Sequence, residues 1–235
     1  MCGFVVIFGS EKKQYDPIVE KMLDSIAHRG PDGRSIKAFN NSIFGHVRLA
    51  VLDKKAGSQP MISDCGRYIL VYNGEIYNYI ELKQELIKSG FVFRGRGDTE
   101  VLLKLLIKEG KSCLKKLNGM FSFVFFDRKT GYWLVARDHF GIKPLYFSKP
   151  NQNKIILASE IKAILIHPEI KSELNISSLH DYLNFQLCLG NLTLFKGIKK
   201  IEPGELMEGI LSESNISKEK WWNISFEIDE KRSEE

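Results

Sequence analysis

Much that would assign this chain to a simple class is missing from it. Only four cysteines occur in 235 residues, Cys2, Cys65, Cys113 and Cys188. They lie far apart with no C-x-x-C pair, which argues against a zinc site or a disulfide framework and for a reducing, cytoplasmic location. No stretch approaches the roughly 20 apolar residues of a membrane span. The apolar run near the start has no basic segment before it and no small-residue cleavage site after it, so no secretory signal is expected. Matches to the glycosylation pattern, such as Asn191-Leu192-Thr193, then carry no meaning. There is no dense basic block with interleaved aromatics. The net charge of +5 comes from lysines and arginines scattered along the chain, so neither nucleic acid nor a membrane is expected as a partner. A Walker-type phosphate loop, an internal repeat and a low-complexity tract are also absent.

What is present is a soluble globular composition, 43% hydrophobic and 27% charged, at a length that buries a substantial core. Asp16-Pro17 reads as an N-cap with proline at N1, followed at helical spacing by Ile18, Val19, Met22, Leu23 and Ile26. A second helix is predicted from Asn78, with Glu81 placed as in a capping box, Leu82 and Leu86 on its apolar face and Gly90 as its stop. A third starts near Asp98-Thr99 and ends at Gly110. Runs rich in β-branched and aromatic residues predict strands over 4–8, 43–52, 68–72, 121–126, 132–137 and 154–158. Strands 121–126 and 132–137 flank a hairpin-like turn, and the near-continuous apolar character of Phe121 to Phe126 predicts a strand covered on both faces. Hairpins with helices grouped between them indicate an α+β layered domain. From about residue 209 the sequence turns polar and charged, which reads as a linker or exposed end through 235.

Polar residues gather where the strands end. Cys2 stands beside Met1, ahead of the first strand. Arg48 lies in a segment that otherwise reads as half-buried strand, Tyr72-Asn73-Gly74-Glu75 follows an apolar run, and Asp98 stands where the glycine-rich Arg94-Gly95-Arg96-Gly97 enters a helix. Each also has a structural explanation. Asp98 serves as an N-cap, Arg48 as a snorkelling surface residue, Asn73-Gly74 as a turn dipeptide, and spacing does not choose between the two.

The stretches Met1-Cys2-Gly3, His28-Arg29-Gly30-Pro31-Asp32-Gly33, Arg48 to Asp53, Gln59-Pro60-Met61, Asn73-Gly74-Glu75-Ile76-Tyr77-Asn78, Gly97-Asp98-Thr99-Glu100, Asn118-Gly119-Met120-Phe121, Ala136 to Tyr146 and Ala158 to Ala163 occur in one order. In that order they resemble the glutaminase half of glutamine-hydrolysing asparagine synthetases, class II glutamine amidotransferases with an N-terminal-nucleophile hydrolase fold. The resemblance runs from residue 1 to about 207 and implies a four-layer αββα stack with two antiparallel sheets.

It also implies roles. The thiolate of Cys2 attacks the side-chain amide of L-glutamine, and once Met1 is gone the Cys2 α-amine is the general base, an arrangement that suits groups titrating near about 8 and about 8.5. The Asn73 side-chain amide and the Gly74 backbone N–H receive the oxyanion. Arg48 takes the substrate α-carboxylate, Asp98 and Glu75 its α-ammonium, and the backbone of Leu49, Ala50, Val51 and Leu52 lines the pocket. His28 and His139 fall at family positions and are read as shaping loops, not as bases. The domain is therefore expected over 1–208, with 209–235 as a linker toward a synthetase domain. No Ser-Gly-Gly-x-Asp-Ser loop is found, so no cofactor is expected in this chain, and ATP and Mg2+ belong to that other domain, joined in cis or in trans. The resemblance is compatible with a homodimer. A non-catalytic glutamine-binding or scaffold domain is the alternative reading, and the glutaminase half of a sugar-phosphate or ribosyl-pyrophosphate amidotransferase is a third.

Overall fold

Alternating side chains of the first strand point into two different cores, and that alternation organises the molecule. In the computed structural model, which describes residues 1–9, 17–39, 41–53 and 57–226, β1 spans Gly3–Phe8 and is wholly buried. Phe4, Val6 and Phe8 face a second sheet, whereas Val5 and Ile7 pack on an outer helical layer. The strands form two antiparallel six-stranded sheets. One has the order β10 (Ile198–Lys200), β8 (Tyr146–Asn151), β9 (Lys154–Ala158), β1, β3 (Ser42–Arg48), β2 (Gly33–Phe39). The other runs β12 (Ile216–Lys220), β11 (Glu205–Ile210), β7 (Tyr132–Arg137), β6 (Gly119–Asp127), β5 (Tyr68–Ile76), β4 (Met61–Ile62).

Three cores fill the spaces between layers. Phe4, Phe44, Val71, Val124, Trp133 and Leu157 lie between the sheets. Helices α1 (Pro17–Ser25) and α4 (Ile161–Leu165) cover the first sheet, and α2 (Tyr79–Lys88) and α3 (Asp98–Glu109) cover the second. This is the expected αββα stack. Its central strand β6 alternates Phe121, Phe123 and Phe125 toward the helices with Val124 and Phe126 toward the facing sheet, so its unbroken apolar run is buried on both sides.

Several expectations are revised. The N-cap residue Asp16 lies outside the described residues, while the helix after it is in place. No capping box forms at Asn78. Its amide instead ties down the chain ahead of β6, donating to Lys116 O at 2.9 Å and accepting from Asn118 N at 3.0 Å. The strand predicted over 43–52 stops at Arg48, and the one predicted over 68–72 continues to Ile76. Residues 209–220, expected to belong to a linker, form the end of β11 and the edge strand β12, paired Glu205↔Lys220 to Gly209↔Ile216. An edge strand needs little apolar character and is protected by charge, so Ser217-Lys218-Glu219-Lys220 resembles linker in composition. Beyond it Trp221 stacks on Phe121 with ring centroids 5.9 Å apart.

Candidate active site

The two sheets part at the end where β1 begins and β5 finishes, and the polar residues of both collect there. One pleat before Phe4, Cys2 continues the face of β1 that looks across at the other sheet. Phe44, His46 and Arg48 share the corresponding face of β3, and Ile69, Val71 and Asn73 that of β5.

Cys2 is held by backbone. Its carbonyl accepts from Arg29 Nε at 2.9 Å, and its Sγ meets the Leu49 N–H at 3.4 Å and the Leu49 carbonyl at 3.5 Å. Arg29 is in turn fixed to Glu160, 2.9 Å from Nη1 to Oε1. Asp32 orders the loop that follows β3, accepting from Ala50 N at 2.8 Å, and its own N–H donates to Arg48 O at 2.9 Å. Between them Gly30 packs so tightly that a Cβ there would stand 2.2 Å from the carbonyl carbon of Val47. The His-Arg-Gly-Pro-Asp-Gly stretch is thus the scaffold under the thiol. His28 meets Glu160 at 3.0 Å from an exposed position, as a loop-shaping residue does. Burial pushes the Cys2 thiol up, and the Leu49 backbone and the nearby cationic N-terminus and Arg48 oppose that rise.

The outer edge of β5 supplies donors and carboxylates. Strand β4 covers it only at Ile69 and Leu70. Farther along, Tyr72 N donates to Gln59 Oε1 at 2.6 Å and Ile76 N to Asp98 Oδ2 at 3.0 Å. Backbone alternation sends the Gly74 N–H out of that same edge, between those two. Asn73-Gly74 is therefore not a turn but strand, paired Asn73↔Ser122 and Gly74↔Phe121. Glycine is required because a Cβ would stand 2.3 Å from Met120 O. Asn73 is buried at 1% exposure, and among the described residues its Nδ2 has no hydrogen-bond partner. A buried amide left unpaired costs on the order of 1–3 kcal/mol, so this donor is kept for something that arrives later.

Asp98 is not an N-cap; that position belongs to Gly97. It turns inward, where its Oδ2 accepts from Tyr72 OH at 2.6 Å as well as from Ile76 N. Burial pushes its carboxyl up, against those hydrogen bonds. Glu75 is also pushed up, first by burial and then by the Asp98 charge, with Lys143 opposing. Two carboxylates close enough for the Asp98 charge to raise Glu75 form a site for a cation. Arg48 Nη2 donates to Asp53 O at 2.6 Å and Leu52 O at 3.2 Å, which folds the 49–53 loop around its guanidinium.

A cleft is lined by Cys2, Arg48, Leu49, Val51, Leu52, Gly74, Glu75 and Asp98, together with Gly57, Gln59, Tyr72 and Thr99. Of the sequence-predicted site residues, only Asn73 and Ala50 do not line it. Asn73 sits behind the wall beside Gly74, and the Ala50 N–H is taken by Asp32. Sequence reasoning missed Gln59, Tyr72 and His46. Burial lowers His46 to about 4, so its imidazole is neutral and Nε2 donates to Tyr72 O at 3.3 Å. Only the alternation of Phe44, His46 and Arg48 hinted at its inward position. A roomier cleft of about 320 Å³ lies between β4 and α3, but its Asp64, Arg94, Glu100 and Lys104 pair among themselves and it contains no thiol. The Cys2 thiol lines the smaller cleft instead. Among the described residues no group of His, Cys, Asp or Glu could hold a metal ion, and no helix is long and apolar enough to cross a membrane.

The family described as glutamine amidotransferase domain matches residues 1–222. Asparagine synthetase (glutamine-hydrolyzing) 3 of Bacillus subtilis (strain 168) is 35% identical over 232 residues, covering 97% of this chain and 37% of the relative. Putative asparagine synthetase (glutamine-hydrolyzing) 2 of Methanocaldococcus jannaschii is 36% identical over 249 residues, covering 95% and 47%. The chain thus spans less than half the length of these relatives. Among solved structures, the glutamine phosphoribosylpyrophosphate amidotransferase from B. subtilis superposes with a TM-score of 0.66 at 23% identity, covering 94% of this chain and 49% of that one. At that identity the likeness is one of fold, and the fold is that of the N-terminal-nucleophile hydrolases.

Proposed function

This chain belongs to the glutamine amidotransferase domain family, and from that premise we propose that it hydrolyses the side-chain amide of L-glutamine to glutamate and ammonia, with Cys2 as nucleophile. The observation that carries the reading is the buried, unpartnered Asn73 Nδ2 beside an outward-facing Gly74 N–H, at the end of the sandwich that holds the Cys2 thiol. An oxyanion hole has those two donors and no other use for them.

Met1 is 56% exposed, so the bond joining it to Cys2 is open to an aminopeptidase. Its removal leaves an α-amine on the residue that carries the thiol. The amine takes the thiol proton, Sγ adds to the amide carbon, and the oxygen becomes an anion facing Asn73 and Gly74. Collapse expels the amide nitrogen, which takes the proton from the α-ammonium and leaves as ammonia. Water, deprotonated by the same amine, then cleaves the thioester and releases glutamate. Arg48 holds the substrate α-carboxylate, the Glu75 and Asp98 pair its α-ammonium, and the Leu49 to Leu52 backbone closes the side. Buried His46 is neutral and already bonded to Tyr72 O, so it is left out of proton transfer.

The ammonia serves an ATP-dependent amide-forming synthetase domain, the reading favoured by relatives named as glutamine-hydrolysing asparagine synthetases. ATP and Mg2+ would act there, in the cytoplasm. The test is direct. Purified protein should lack Met1 by intact mass and release ammonia from glutamine, and Cys2→Ala should abolish that release. Full turnover by a chain that keeps Met1 would overturn the mechanism. Tight glutamine binding without turnover by the processed chain would make it a binding domain instead.

A further inference from the structure

The loop after β7 carries a charge that acts on Glu75 and interacts with Cys2, and that the hydrolysis above does not use. Lys143 is 5% exposed, and among the described residues its ammonium makes no hydrogen bond or ion pair. Its backbone is held rigidly. The Asp138 carboxylate accepts from the N–H groups of Phe121 (3.1 Å), Phe140 (3.1 Å), Ile142 (2.9 Å) and Lys143 (3.0 Å). The Arg137 guanidinium donates to the carbonyls of Gly141 (2.5 Å), Lys143 (2.7 Å) and Ile201 (2.6 Å). Ser122 Oγ then donates to Pro144 O at 3.4 Å. Phe121 and Ser122 are the register partners of Gly74 and Asn73, so Lys143 is anchored one strand away from the two oxyanion donors.

Four charged or titratable groups act on the Lys143 ammonium, each from a different element. They are Arg29 from the turn after α1, Glu75 from β5, Asp138 from its own loop and Cys2 from the start of β1. Burial and Arg29 lower the lysine, and the two carboxylates and the thiol raise it. A lysine on the surface would avoid this cost. Holding one here, unpaired and beside Arg29, makes sense where anions need it.

We propose that Lys143 is a positioning residue for glutamine hydrolysis, its ammonium keeping Glu75 ionised against Asp98 and favouring the thiolate of Cys2. The proposal rests on the glutaminase reading for its kinetic consequence, but its effect on the thiol is measurable without turnover. The rate of Cys2 alkylation by iodoacetamide, followed by mass spectrometry of the N-terminal peptide, reports thiolate as a function of pH. In Lys143→Met the alkylation profile should move up by about one pH unit, the order expected when one unit charge is removed from a partly buried site. The acid limb of kcat/KM should move toward neutral pH through a higher KM for glutamine. Lys143→Arg should restore both profiles. A residue that only filled space would lower activity evenly across pH and would not be rescued by arginine.

If Lys143→Met does not fold, Lys143→Gln is read in its place and should show the same displacements. Alkylation and rate profiles that superimpose on those of the unsubstituted protein overturn the proposal. An unsubstituted protein that alkylates normally but releases no ammonia counts against the glutaminase reading, and the thiol profile of the variants still decides the role of Lys143.

Discussion

The two ends of β5 use the same kinds of residue to opposite effect. At the Tyr68 end, Arg67 grips Asp127 with two parallel bonds of 2.7 and 2.6 Å, and Lys129 N and Thr130 Oγ1 complete the carboxylate's shell at 2.9 Å each. That carboxyl is pulled down to about 2 by the Arg67 hydrogen bonds. At the Ile76 end, Glu75 and Asp98 are pushed up by burial, and the Asn73 amide is buried with no acceptor. One end is satisfied and ties the start of β5 to the end of β6 within one sheet. The other is left incomplete, and a glutamine molecule has the groups that complete it. Strained polarity of this kind, next to a nucleophile, marks a site more reliably than the presence of charge alone.

The contrast is sharpened by substitutions at each end. The largest effect is expected for Asn73→Ala, which should lower kcat for ammonia release about 100- to 1,000-fold while leaving thermal stability unchanged or raised, since it removes an unsatisfied donor. A fall in melting temperature with kcat intact would mean that the amide is structural.

Next comes His46, which joins the sheets just inside the cleft. The unfolded chain takes up a proton near 6.5, and the folded chain refuses it until about 4. Stability is therefore whole above about 6.5 and falls as the pH drops from there to 4, by about 3 kcal/mol. Denaturant unfolding at pH 7 and pH 4.5 measures this fall, which His46→Gln should flatten.

Asp98→Asn keeps the bonds to Tyr72 and Ile76 within reach but removes the charge. It should raise KM for glutamine roughly 10- to 100-fold with a smaller change in kcat, as the loss of one charge-assisted contact does. An equal loss in both constants would place Asp98 in the chemistry and not in recognition.

The smallest effect is expected at the opposite end. Arg67→Ala should lower the melting temperature by a few degrees and leave kcat/KM untouched, because the pair is partly exposed and screened. Its contribution is present above 3.8 and is lost as the pH falls toward about 2, the window over which Asp127 protonates. Loss of activity in this variant would break the division between the two ends.

Much of the fold was legible. The aromatic and β-branched runs marked β1, β6, β7 and β9, and the helix read from Asp98-Thr99 to Gly110 is α3. Short or polar strands were not. The edge strand β12 and the two-residue β4 derive their state from neighbours across the sheet, not from their own composition. Within the site, Cys2, Arg48, Gly74, Glu75 and Asp98 were named from family motifs, and the structure brings them to one cleft. Tyr72 and Gln59 passed as core and loop, because a bond such as Tyr72 OH to Asp98, across 26 residues of sequence, has no local signature.

By itself the sequence determined the alternation that buries β1 on both faces, the glycines at positions 30 and 74, and a thiol one peptide bond from becoming the chain's terminus. These are local matters of side-chain period and steric room. Only the tertiary structure decided which polar groups would go without partners. Asn73 and Ser122 stand in register within one sheet, and Phe4 and His46, one pleat from Cys2, in the other. Whether a donor is satisfied depends on what the opposite layer brings to it, and here the layers leave Asn73 Nδ2 unmatched behind the wall of the cleft.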